Sequence, residues 1–125
     1  MKLFTVEEAN RLIPEVRLTL LTIQRLYAEI GEFRESARRA AQSAEHGGGG
    51  MASGSIYVNA LSELGKLTVE IDSMGIQLKD YSRGLIDFPS MRDGSLVLLC
   101  WQLDEGDEVL WWHDLESGFG GRKPL

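Results

Sequence analysis

The side chains best suited to chemistry lie in the last third of the chain. Glu116 follows His113 by three residues, and Asp87 stands in an apolar segment further upstream. Imidazole and carboxylate groups are common ligands of divalent transition metals, so these three residues form a candidate metal site. The spacing is unspecific, and it favours a structural alternative in which His113 ends a strand and hydrogen-bonds a carboxylate. No cofactor is therefore predicted, and a divalent metal is the one class that these residues suit.

The closing segment of the chain indicates a second kind of site, for a small ligand. Arg122 follows two glycines, which let the backbone approach an anion that the guanidinium group can hold. The candidate ligand-binding residues are Asp87, Trp112, His113 and Arg122. In the alternative that we favour, Arg122 forms an ion pair with Asp87 or Asp80 and ties the tail to the second helix.

Cys100 is the one cysteine of the sequence, which excludes an internal disulfide and an all-cysteine metal site. Its neighbours Leu99 and Trp101 are apolar, so it is predicted to be a buried core residue. A catalytic thiol needs a base that a third group orients. His113 could supply the base, but the sequence leaves the strand register open.

Composition excludes several classes of partner. The chain has 125 residues, a formal net charge of -6 and 43% hydrophobic residues. An acidic chain is a poor match for nucleic acid or for anionic membranes, since both require a basic surface. The sequence has neither a secretory signal at its start nor an apolar run of membrane-spanning length. We expect a cytoplasmic protein that binds neither nucleic acid nor membrane.

Two helices precede the candidate sites and position them. Thr5 and Glu8 have the spacing of a capping box, and apolar residues then recur at steps of four and three. We predict helix 1 over residues 5–45, running through Pro14, a mobile glycine-rich loop over 46–54, and helix 2 over 55–86. A short connection makes the helices antiparallel, with the heptad spacing of a coiled coil.

The C-terminal part is predicted to be a two-stranded β-hairpin over residues 95–115, followed by a tail over 116–125. Pro89 ends helix 2, because the residue before a proline disfavours helical geometry. The acidic run from Asp104 to Asp107 is a solvated turn between the strands. Both faces of the hairpin are apolar, so one must pack on the helices and the other on the tail or a second subunit. The whole chain is predicted to be one α+β domain, 1–125.

Motifs along the chain also resemble a known family. They are Phe4-Thr5, Glu8-Ala9-Asn10, Pro14, Leu78-Lys79-Asp80, Gly84-Leu85-Ile86-Asp87-Phe88-Pro89, Leu99-Cys100-Trp101, Trp112-His113 and Gly118-Phe119-Gly120-Gly121-Arg122. In combination, and over nearly the whole chain apart from the glycine loop, they resemble the domain of unknown function 2203 (DUF2203) family. The resemblance implies a bacterial cytoplasmic protein and carries no established activity.

The helices themselves indicate a function. Leu12, Leu18, Leu21 and Leu26 widen the apolar stripe of helix 1 beyond the line that helix 2 can cover. A second copy would bury them, so we predict a homodimer and a non-enzymatic interaction or assembly module, with or without another protein partner. The alternative is a small metal- or ligand-binding protein, catalytic or not, with a polar site beside the β-hairpin.

Overall fold

The computed structural model describes residues 1–43 and 51–125. Its elements are α1 (Val6–Ser43), α2 (Met51–Ser73), β1 (Gln77–Asp80), β2 (Leu85–Arg92), β3 (Ser95–Trp101), β4 (Trp111–His113), a 3-10 turn (Phe119–Gly121) and β5 (Lys123–Pro124). This arrangement confirms the α+β class. Within the described ranges, neither helix combines the length and the apolar character needed to cross a membrane.

The predicted capping box begins α1. The backbone N–H of Thr5 donates to Glu8 Oε1 at 2.9 Å, and the N–H of Glu8 donates to Thr5 Oγ1 at 3.1 Å. Two N–H groups at the start of the helix thereby gain partners that the helix itself cannot supply. The helix continues through Pro14 to Ser43, close to the predicted end. Its fully buried residues are Ala9, Ile13, Val16, Leu20 and Ile23.

The second helix is shorter than predicted because Gly75 ends it. α2 stops at Ser73, and Gly75 has a φ of 86°, which glycine adopts without steric cost. Its N–H donates to the carbonyl of Asp72 at 2.9 Å, and the N–H of Ile76 donates to that of Ile71 at 3.4 Å. These paired bonds form a Schellman motif. The prediction that helix 2 extends to residue 86 is therefore wrong.

The two helices run antiparallel, as predicted. Phe33 contacts Tyr57, and nearer the sheet Leu26 and Ile30 cluster with Ala60. Because α2 begins at Met51, residues 51–54 of the predicted loop belong to a helix. The remaining loop residues, and the predicted mobile tip around them, lie outside the described residues.

A five-stranded antiparallel sheet replaces the predicted two-stranded hairpin. The strands lie in chain order, β1-β2-β3-β4-β5. The predicted pairing within residues 95–115 is confirmed, since Leu98 lies opposite His113 and Cys100 lies opposite Trp111. β1 and β2 were not predicted because the apolar spacing of residues 77–85 also suits a helix.

Pro89 lies inside β2 and does not end a helix. Its carbonyl accepts a hydrogen bond from the N–H of Phe4 at 2.7 Å. In a β-strand, the C=O and the N–H of the same residue point toward the same edge of the sheet. The position where Pro89 lacks an N–H is therefore on the edge that faces Phe4. β1 pairs there only as far as Asp87, where it meets Gln77. The proline therefore costs the sheet no strand-to-strand hydrogen bond.

The two faces of the sheet have different partners. The helix face, buried against α1 and the end of α2, comprises Ile86, Phe88, Leu99 and Trp101. The tail face, which residues 115–119 partly cover, carries Asp87, Leu98, Cys100 and His113. Successive residues of a strand point to opposite faces, so each of these strands contributes to both sets.

Candidate metal centre

Three side chains with metal-ligand atoms converge on the tail face. Asp87, Cys100 and His113 come from the adjacent strands β2, β3 and β4. A carboxylate oxygen, the sulfur and a ring nitrogen all lie within 4.8 Å of one another. All three residues are buried. Buried charges and donors of this kind require partners, because isolated ionised groups are costly away from water.

Contacts to both ring nitrogens fix the orientation of the His113 side chain. Its Nδ1 lies 2.7 Å from the backbone oxygen of Asp114, and because a carbonyl oxygen can only accept, Nδ1 carries a proton. Its Nε2 lies 3.2 Å from each carboxylate oxygen of Asp87. In the neutral ring, Nε2 would then point a lone pair at two acceptors. A proton on Nε2, or a metal cation between the two groups, removes this repulsion.

Cys100 is buried, as predicted. Burial, and secondarily the negative charge of Asp87, raises the pKa of the thiol to about 12. Arg122 opposes this shift, because its Nη1 donates to the sulfur at 3.8 Å. A nucleophilic cysteine is ionised near neutral pH. The environment of Cys100 therefore suits a packed thiol better than a catalytic nucleophile.

Arg122 pairs with Glu105, and the predicted ion pair with Asp87 or Asp80 is wrong. The contact has two points, Nη1 to Oε1 at 2.9 Å and Nη2 to Oε2 at 2.7 Å. The two side chains are only 12% and 13% exposed. β5 pairs with β4 at the edge of the sheet away from β2, so the tail carries Arg122 toward the β3–β4 connection.

Aromatic rings hold Arg122 in this position. Its guanidinium carbon lies 5.0 Å from the ring centroid of Trp111 and 4.1 Å from that of Phe119. Arg83 lies over the Phe119 ring as well, at 4.1 Å. Cation–π contacts and a two-point ion pair together restrict the guanidinium group more than either would alone.

A cavity of about 300 Å³ opens beside the three donors. Leu85 and Leu98 of the sheet and Leu115 and Phe119 of the tail form its apolar walls. Asp87, Cys100 and His113 belong to the same lining, as do the exposed residues Lys79 and Glu116. A small molecule in the cavity would therefore be in contact with these three residues.

The structure brings some of the predicted site residues together and separates others. Asp87 and His113 are in contact, whereas Glu116 is exposed and lines the cavity outside the three-donor group. Trp112 packs against the main hydrophobic core, so it lies away from the other candidates. Arg122 reaches the group only through the sulfur of Cys100.

Sequence reasoning missed two residues of this region. Cys100 is predicted from the sequence as a core residue, with a catalytic thiol as the alternative, and not as a metal ligand, because its position beside Asp87 depends on the β2–β3 register. Glu105 was assigned to a solvated turn, although it accepts hydrogen bonds from Arg122 and from the backbone of Gln102. The alternation of β3 could have placed Cys100 and Leu98 together, but no local signal distinguishes Glu105 from its acidic neighbours.

Comparison with known proteins agrees with the motif resemblance. No curated protein and no solved structure matches the chain. A family model described as "Uncharacterized conserved protein (DUF2203)" matches residues 2–125, essentially the whole chain. The chain therefore belongs to the DUF2203 family.

Proposed function

We propose that the protein binds one divalent transition metal, of the zinc class, through Asp87, Cys100 and His113. The observation that carries the proposal is the orientation of His113. Its Nδ1 donates to a backbone carbonyl, and its Nε2 points at a carboxylate. Metal-binding histidines commonly donate their second ring N–H to a backbone carbonyl or a carboxylate, which fixes the tautomer that binds the metal.

The donor types favour zinc and its neighbours over magnesium or calcium. Thiolate and imidazole ligands suit Zn²⁺, whereas Mg²⁺ and Ca²⁺ take oxygen ligands. Zinc–ligand bonds of about 2.0–2.3 Å place tetrahedral donors about 3.5 Å apart. The Nε2–carboxylate distance of 3.2 Å is already close to that value. All three ligand atoms lie within 4.8 Å of one another, so the sulfur would need to move only a short distance to complete the geometry.

Arg122 supports the proposal from outside the donor group. A metal-bound cysteine is a thiolate, and the guanidinium N–H directed at Cys100 stabilises negative charge on sulfur. Glu105 and the flanking rings keep Arg122 in place. We therefore assign Arg122 to positioning and charge support of the ligand Cys100, and not to metal coordination.

Titration with Co²⁺ and Zn²⁺ tests the proposal. The metal-free protein should take up one equivalent, and Co²⁺ should give a thiolate-to-cobalt absorption band that Cys100→Ala abolishes. Asp87→Asn and His113→Gln should each weaken binding by more than about a hundredfold, since loss of a direct ligand exceeds the roughly 10–100-fold effect of an outer partner. Zn²⁺ should also raise the melting temperature of the wild type, because it binds the folded state.

Asp80→Asn is the matched control. Asp80 is a carboxylate of the same sheet, but it accepts hydrogen bonds from Ser82 and from the backbone of Arg83 and lies outside the donor group. Metal affinity should be unchanged in this variant. Absence of binding at micromolar metal would contradict the proposal, and so would equal binding by the wild type and all three ligand variants. In either case His113 serves only to hydrogen-bond Asp87 and hold the strands.

Self-association is a second candidate function, supported by apolar residues that the helices leave exposed. Leu18 is 68% exposed and Leu21 is 46% exposed. Leu12 and Leu26, which belong to the same predicted stripe, pack instead against the hydrophobic core. α2 adds further exposed residues, Ile56, Val58 and Val69. Exposed apolar patches often mark interfaces, so we propose that the helices form a homodimer in a cytoplasmic setting.

Light scattering at micromolar concentration tests the homodimer. The expected mass is about twice the 13.9 kDa of one chain. Leu18→Glu should shift the protein to the monomer, whereas Leu110→Glu, at an exposed position near the sheet, should not. A monomeric wild type would contradict this candidate and leave the metal proposal untouched.

A further inference from the structure

We propose that the cavity beside the donor group binds a small organic carboxylate with an apolar chain. The inference rests on the proposed metal site. The carboxylate would be the remaining ligand of the metal, and the chain would lie against the apolar walls of the cavity. This assigns a ligand class to the site.

The donor group has a free coordination position. Asp87, Cys100 and His113 supply three donors, whereas zinc takes four, and sites with three protein ligands leave the fourth position to water or substrate. All three residues line the cavity, so the free position opens into it. Within the described part of the chain, Glu116 is the other carboxylate of the lining, and it lies outside the donor group.

The walls of the cavity call for an apolar chain. Leu85 and Leu98 form its floor on the sheet, and both are buried. Leu115 and Phe119 line the same cavity from the tail yet remain 57% and 36% exposed. A ligand chain seated between floor and tail would remove this apolar surface from water. A lining that combines apolar walls with convergent polar groups is typical of small-molecule sites.

The metal favours a carboxylate head group over an amide, because a carboxylate oxygen is a usual zinc ligand. With Asp87 ionised and Cys100 as the thiolate, a divalent metal and its protein ligands together carry no net charge. Lys79 lines the cavity, and no ion pair is seen for it among the described residues. Its ammonium group can balance the added anion. Glu116 has the opposite charge, so it should oppose the ligand.

A chain-length series measures the apolar part of the proposal. Acetate, butanoate and hexanoate are titrated calorimetrically into the Zn²⁺-loaded protein, and into the Co²⁺-loaded protein with the visible spectrum recorded. Each methylene that leaves water should tighten binding about fourfold, the equivalent of the transfer free energy of one CH₂ group. The cobalt spectrum should change with all three acids, because the head group enters the coordination sphere.

Charge variants measure the polar part. Lys79→Ala should weaken all three acids by a similar factor, because it acts on the head group and not on the chain. Glu116→Gln removes the opposing negative charge from the same lining, and it should tighten binding of all three acids. Leu115→Ser should reduce the gain per methylene while leaving acetate binding as it was. Hexanamide should bind more weakly than hexanoate.

The outcomes separate this inference from the proposed function. If the protein takes up no metal, the proposed function fails and the ligand fails with it. If metal binds but none of the acids alters the cobalt spectrum, the ligand inference alone is overturned. It is also overturned if affinity is independent of chain length, or if the metal-free protein binds hexanoate equally well.

Discussion

The helix face and the tail face of one sheet are built from the same strands and differ in what covers them. On the helix face, Phe88 and Trp101 are fully buried beneath two helices. On the tail face, Asp87, Cys100 and His113 are buried beneath a short segment, with a cavity beside them. Strand alternation lets one run of residues supply a hydrophobic core on one side and a polar cluster on the other.

The two faces contribute differently to the stability of the fold. The helix face consists of apolar groups whose burial drives folding and requires no further partner. The tail face buries polar and ionisable groups that need partners, and its cover is held by one two-point ion pair and a few aromatic contacts. Sites that depart from simple apolar packing are where function is expected.

Truncating one buried residue on each face should give the largest difference in the free energy of unfolding. Phe88→Ala should lower the free energy of unfolding by about 3–5 kcal/mol, because Phe88 is fully enclosed by the helices and leaves a void. Leu98→Ala should cost clearly less, since Leu98 already borders a cavity and has fewer contacts to lose. Urea denaturation measures both. Equal losses would show that the two faces are packed alike.

Removal of Arg122 should have the next largest effect. Arg122→Ala leaves the carboxylate of Glu105 partly buried without its cation, so we expect a loss of about 2 kcal/mol, below that of a fully buried pair. The double variant with Glu105→Ala should cost about 1 kcal/mol less than the sum of the single losses. Arg122→Ala with Asp80→Asn should be additive. Additivity in both pairs would contradict the observed partner of Arg122.

The thiol of Cys100 gives a smaller, pH-dependent effect in the metal-free protein. Its pKa is about 12 in the fold, above the ordinary 9.0, so the fold favours the neutral thiol. This stabilisation is complete below about pH 9 and is lost as the pH rises toward 12. By about pH 10.5 the linkage lowers the stability of the wild type by about 2 kcal/mol. The advantage of the wild type over Cys100→Ala, about 1 kcal/mol at pH 7, should therefore vanish and reverse at that pH. A pH-independent difference would place Cys100 in a more polar environment.

A thiol reagent provides the independent check on Cys100. Burial and the high pKa predict that native protein at pH 7 reacts only as fast as it unfolds. Rapid modification of the native state would show that the tail face is open, and would remove the contrast between the two faces.

The smallest effect is expected at the start of α1, which covers the helix face. Thr5→Ala removes the side-chain acceptor of the Glu8 N–H and should cost about 1 kcal/mol. Metal binding should be unaffected, since the capping box lies away from the tail face. A change in metal affinity in this variant would mean that the two faces are coupled through the sheet. Thermal unfolding and the cobalt titration together measure both quantities.

Local patterns were enough to predict part of this protein. The capping box at Thr5, the helix through Pro14 and the alternation of residues 95–101 depend on contacts within a few residues, so the sequence determines them directly. The pairing of segment 95–101 with the strand that follows was also predictable, because an acidic turn separates two apolar segments, although the register was not. The polar contact between His113 and a carboxylate was expected as a structural alternative.

Only the tertiary structure decided the rest. The apolar spacing of residues 77–85 suits a helix and a strand equally, and the choice depends on the Gly75 cap and on the pairing of β1 with β2. The partner of Arg122 depends on which edge of the sheet β5 joins. Cys100 lies beside Asp87 and His113 because the β2–β3 register sets it opposite Asp87, and a shift of one residue would turn it to the other face. Register is fixed by the summed burial of both faces, a property of the folded chain that no short segment contains.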